Sequence, residues 1–121
     1  MNRKKLIIGT TLAIFLCTAT SVFAWSMGMS NNLSTGISIT GYSVTTATET
    51  CSSISAYNGI YEDGVLKANN QKEETLAKSA KSLKNSTPNH LGTQKWESYG
   101  IHNAVCNGEV LIDSTLKTAN Y

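Results

Sequence analysis

The stretch KWESYGIHNAVCNGEVLIDSTLK, residues 95–117, decides the fold. Asn107-Gly108 is a two-residue hairpin signal, because a tight turn with positive φ at both central positions favours that pair. Folding about it sets opposite one another residues whose numbers add to 215. One face then carries Tyr99, Ile101, Val105, Val110, Ile112 and Leu116, with Asn103 and Ser114. The other carries Trp96, Ser98, His102, Cys106, Glu109, Asp113 and Lys117, with Ala104 and Leu111. A slip of one residue would mix the two sets, so the register is well specified. The apolar face is expected to form half of a core.

The other half is expected from residues 36–66. Gly36 to Cys51 is rich in β-branched residues, which favour strands. Ile37 and Ile39 alternate with polar residues, and the phase changes after Gly41 to Tyr42, Val44 and Thr46. A bulge at Gly41, or two short strands kinked there, accounts for this equally well. Asn58-Gly59 and Asp63-Gly64 compete as turns; Asp63-Gly64 is favoured, since Val65-Leu66 then continues the returning strand.

Between these halves, residues 70–85 read as a helix. Asn70 is a capping residue with Glu73 three positions on. Glu73 and Glu74 lie at the end that favours anions, and Lys78, Lys81 and Lys84 toward the end that favours cations. Leu76, Ala80 and Leu83 make a narrow apolar stripe. The expected fold is mainly β: a small antiparallel β-sandwich-like domain over 36–121, with one short α-helix and one disulfide.

The first 24 residues read as a secretory signal peptide. Asn2-Arg3-Lys4-Lys5 is a basic head, Leu6 to Cys17 an apolar run, and Val22-Phe23-Ala24 a small-residue cleavage signal. Cleavage is expected between Ala24 and Trp25. The run is too short for a membrane span, which needs roughly 20 residues. Residues 25–35 then form a flexible leader. The expected location is extracellular, and the leader's short layout points to a bacterium.

Cleavage removes Arg3, Lys4, Lys5 and Cys17. Seven lysines remain against eight acids, a net −1 without arginine. Arginine is the residue suited to forked contacts with phosphate and guanine, so this composition opposes nucleic-acid binding. Cys51 and Cys106 remain, and two cysteines in an exported chain read as one structural disulfide.

His102 and Asp113 face each other in the hairpin register, two thirds of a hydrolytic triad. No serine occupies a GxSxG elbow. The pair falls on the polar face, where it reads as a cross-strand hydrogen bond worth about 0.2–1 kcal/mol. On that reading truncating His102 costs little. No metal-ligand spacing, phosphate loop or dinucleotide fingerprint is present, so no catalytic, metal or cofactor residue is assigned.

The sequence thus suggests a small secreted, non-enzymatic protein that binds a protein or cell-surface partner. A cleaved leader and a short, tyrosine-containing β-rich chain are similar in plan to secreted bacteriocins of the lactococcin 972 type. That resemblance implies a toxin acting on other cells, although no family motif matches residue by residue. A secreted hydrolase inhibitor, presenting the turn region 58–64, is a third expectation.

Overall fold

The structure is a computed structural model that describes residues 24–121. The basic head and apolar run of the expected signal peptide lie outside the described residues. Six antiparallel strands form one curled sheet: β1 (Met27–Ser34), β2 (Ser38–Glu62), β3 (Val65–Lys81), β4 (Asn85–Pro88), β5 (Lys95–Cys106) and β6 (Glu109–Asn120). Among the described residues there is no helix.

Strand β2 organises the molecule. Its first part is flanked by β1 and β4, which both pair with Thr40 and Gly41 from opposite edges. Its last part, from Ser53 to Glu62, is flanked by β3 and β5. Between the parts β2 advances from Thr46 to Cys51 while β3 moves only from Ser79 to Ala77. These extra residues on one strand are a bulge, which bends a strand sharply. The neighbouring Leu76 on β3 takes a positive φ of 50°.

The bend brings the two parts of β2 face to face. Asn58 Nδ2 donates to Ser43 Oγ at 2.9 Å, and Thr45 Oγ1 donates to the Ser55 carbonyl at 2.8 Å. A Cβ on Gly41 would lie 2.6 Å from Ile60 Cδ1. Gly41 therefore marks a close approach and not the expected change of phase: Ile39, Gly41, Ser43 and Thr45 form one unbroken inward row. Side chains from Trp25 and from β1 reach across to β6. Trp25 Nε1 donates to Glu109 Oε1 at 2.8 Å, and Asn31 Nδ2 to Thr115 Oγ1 at 3.1 Å, with the same offset in sequence.

The core is apolar at both ends and polar between. Trp25, Cys51, Ile54, Ala80, Ala104 and Cys106 cluster at one end. Ile39, Ile60 and Trp96 cluster at the other, with Leu33 against them. The expected disulfide is present, joining Cys51 in the β2 bend to Cys106 at the end of β5, with the Cα atoms 4.2 Å apart.

Three expectations are corrected. Residues 70–85 form most of β3 and the start of β4 in place of a helix. The stripe of Leu76, Ala80 and Leu83 buries only Ala80, while Leu76 stays 78% and Leu83 65% exposed. So narrow a buried face gives a helix little to pack, whereas the long β2 offers a ladder of backbone hydrogen bonds. Residues 27–34, expected in a flexible leader, are ordered as β1 against residues 40–47. Finally, 36–66 and 95–118 are not two facing layers joined by a helix; β2 and β5 are hydrogen-bonded neighbours in one sheet. Asp63-Gly64 forms the β2–β3 turn, with φ of 49° and 86°.

Candidate functional site

The β5–β6 hairpin has the expected register, with His102 opposite Asp113 and Tyr99 opposite Leu116. Its orientation is the reverse of the expectation. Trp96, Ser98, Gly100, His102, Ala104 and Cys106 point inward and are buried. The apolar face points to solvent, with Val110 52% and Ile112 64% exposed. Close packing decides this: a Cβ on Gly100 would lie 2.6 Å from Ser43 Oγ. Ser98, Gly100 and Ala104 leave room for the folded-over part of β2, which the bulkier Tyr99–Ile101–Val105 row would not.

The buried row holds His102 in a continuous hydrogen-bonded chain. Nδ1 lies 2.8 Å from Thr45 Oγ1, and Nε2 lies 2.8 Å from Thr115 Oγ1. Thr45 spends its hydroxyl hydrogen on the Ser55 carbonyl, so Nδ1–H donates to Thr45. Nε2 is then the acceptor, and Thr115 donates to it while accepting from Asn31 Nδ2. Burial lowers the His102 pKa from 6.5 to about 4, outweighing a backbone bond to Val44 that raises it. The imidazole is neutral at neutral pH.

Asn31 links this chain to a second one. Ser98 Oγ donates to Asn31 Oδ1 at 2.6 Å, and Asn58 Nδ2 donates to Ser98 Oγ at 2.8 Å. Asn85 Nδ2 donates to Asn58 Oδ1 at 2.9 Å. Each buried polar side chain in this series has partners, as burial requires.

Asp113 takes no part in the chain. Its Oδ1 accepts from the Ser114 backbone N–H at 2.8 Å. In place of the expected His102–Asp113 surface pair, the buried His102 lies between the buried Thr45 and the partly buried Thr115. Trp25, the first residue after the expected cleavage site, is 4% exposed, and Ala24 before it is exposed. Among the described residues no group of three His, Cys, Asp or Glu side chains could hold a metal ion, and no helix is long and apolar enough to cross a membrane.

The outward face is the candidate binding surface. Cross-strand neighbours share a face, so the pairings read directly as rows across four strands. One row is Gln71, Tyr57, Ile101 and Ser114. The next is Asn69, Gly59, Tyr99 and Leu116, and the third is Leu66, Tyr61, Glu97 and Thr118. Beyond Tyr57, Ile112 and Val110 extend the face on β6. Sequence reasoning grouped Tyr99 with Ile101 and Leu116 correctly but placed them in the core. It missed Tyr57 and Tyr61, whose spacing about Gly59 along one strand was the available signal.

No protein-family model, characterised protein or solved structure matches the chain.

Proposed function

We propose that this chain is a small secreted, non-enzymatic binding protein of bacterial origin, built on a curled antiparallel sheet. Its contact surface is the outward face of β2, β5 and β6. The observation that carries this reading is the orientation of the hairpin: Ile101, Val110, Ile112 and Leu116 on one face meet solvent, with Tyr99 half-buried beside them, while His102 and Ser98 turn inward. Contiguous exposed apolar side chains on a small protein mark interaction surfaces. The one histidine bonded to hydroxyls is enclosed, which supports a structural role for it.

The test is binding of the disulfide-closed protein to bacterial cells, compared with an Ile101→Glu, Ile112→Lys variant. Saturable binding that the variant loses is the expected result. Equal binding by both proteins, or turnover by the unmodified protein on a broad substrate panel, would overturn it.

A further inference from the structure

We propose that Tyr57, Tyr61 and Tyr99 form a platform that binds an uncharged polysaccharide. The inference rests on the reading of the outward face as the binding surface and names the chemistry it takes.

Tyr57 and Tyr61 stand two residues to either side of Gly59 on one face of β2, and Tyr99 is the cross-strand neighbour of Gly59. A Cβ at Gly59 would lie 2.9 Å from the Tyr57 hydroxyl, 3.2 Å from Tyr61 Cε1 and 3.3 Å from Leu66 Cδ1. The two rings therefore lean down over the glycine and do not stand off the sheet. A residue without a side chain lets the aromatic surface lie low and broad.

The chemistry of the platform is that of a neutral ligand. Burial first, then the charges of Tyr61 and Tyr99 and a hydrogen bond with Tyr61, raise the Tyr57 pKa above its ordinary 10.0. Its phenol stays protonated, able to donate and to accept. The residues in the three rows include a single carboxylic acid, Glu97, and no lysine, and Lys95 Nζ lies 3.6 Å from Glu97 Oε2. Four of the six row ends are amide or hydroxyl, Asn69, Gln71, Ser114 and Thr118, and the other two are Leu66 and Leu116.

Charge complementarity therefore selects an uncharged partner. An anionic lipid surface would call for a basic cluster, which these rows lack. A sugar ring offers an apolar C–H face to the tyrosines and hydroxyls to the amide border, and aromatic side chains provide one apolar surface with one polar tip. A low aromatic surface that crosses several strands suits an extended polymer.

The test is retention of the disulfide-closed protein on chitin, cellulose, amylose, xylan and mannan. Retention on one or more of these is expected. Tyr57→Ala and Tyr99→Ala should each weaken it about tenfold or more, as loss of a central aromatic anchor does. Tyr99→Leu, which keeps bulk for folding and loses the ring, should weaken it as well. Ile37→Ser, in the exposed connection between β1 and β2 and outside the face, should leave it unchanged. No retention on any of the polymers, or retention that survives all three tyrosine substitutions, overturns the proposal. Cell binding measured on the same variants separates the two readings. Binding that Ile101→Glu abolishes and Tyr99→Leu spares overturns the polysaccharide and keeps the face. Binding that neither substitution affects overturns both.

Discussion

His102 Nε2 is bonded to Thr115 Oγ1 at 2.8 Å, although Asp113 is the residue opposite His102 across the β5–β6 hairpin. The chain thus holds a neutral imidazole between two hydroxyls, and no carboxylate compensates a charge on it. Protonating Nε2 would oblige Thr115 to turn its hydroxyl hydrogen away.

A pH dependence follows with a definite sign. The folded-state pKa of His102, about 4, lies below its ordinary 6.5. Between those values the unfolded chain binds the proton and the folded chain does not, so acid favours unfolding. The stability is complete above about pH 6.5 and falls as the pH drops toward about 4, for a total on the order of 3 kcal/mol. Urea unfolding at about pH 7 and about pH 4.5 should differ by about 2 kcal/mol from this group. His102→Gln should flatten that difference, and an unchanged pH profile in the variant would show that other groups cause it.

Gly100 is irreplaceable for reasons of space. A Cβ there would lie 2.6 Å from both Ser43 Oγ and Thr115 Oγ1 and 2.9 Å from His102 Nε2. These are bonded interior atoms with little room to shift. Gly100→Ala should destabilise by about 1–3 kcal/mol, the usual range for overpacking. Gly36→Ala, where the nearest heavy atom is 3.8 Å away, is the matched control and should change stability by less than about 0.5 kcal/mol. Thermal unfolding of the two variants side by side measures the contrast.

The disulfide closes a separation of 55 residues. Loop-closure entropy for that length gives about 4 kcal/mol, an upper figure for the loss on replacing Cys51 and Cys106 with alanine. A core whose middle is polar leaves little margin beyond that. The double variant should unfold at markedly lower denaturant, and a midpoint equal to the parent protein's would contradict this.

Much of this architecture was legible in the chain. Asn107-Gly108 fixed the hairpin register, and the two cysteines fixed their bond. Which face of the hairpin turns inward was not legible. Amphipathic separation states which residues travel together; the burial of one set depends on what approaches it. Here Ser98, Gly100 and Ala104 admit the folded-over first part of β2, an approach created by a bulge between Thr46 and Cys51. The helix expected over 70–85 failed for a related reason. Asn70 and Glu73 satisfy a local capping pattern, but Leu76 and Leu83 meet no core, and the ladder along β2 prevails. Of the candidate site, Tyr99 and its aliphatic neighbours were visible as a group. The partnership of Tyr57 and Tyr61 was available from the favoured Asp63-Gly64 turn, which carries one strand through Asn58-Gly59, but their place beside Tyr99 depends on the pairing of β2 with β5.

The central claim is the orientation of the hairpin, and the measurement that tests it most directly is urea unfolding of His102→Ala beside Ile112→Ser. His102 is fully buried with both ring nitrogens bonded, and Ile112 is 64% exposed. His102→Ala should therefore cost more than about 2 kcal/mol, since it opens a cavity and strands Thr45 and Thr115. Ile112→Ser should cost less than about 0.5 kcal/mol. The opposite order, with Ile112→Ser the more damaging, would mean that the apolar face forms the core and that the account is wrong.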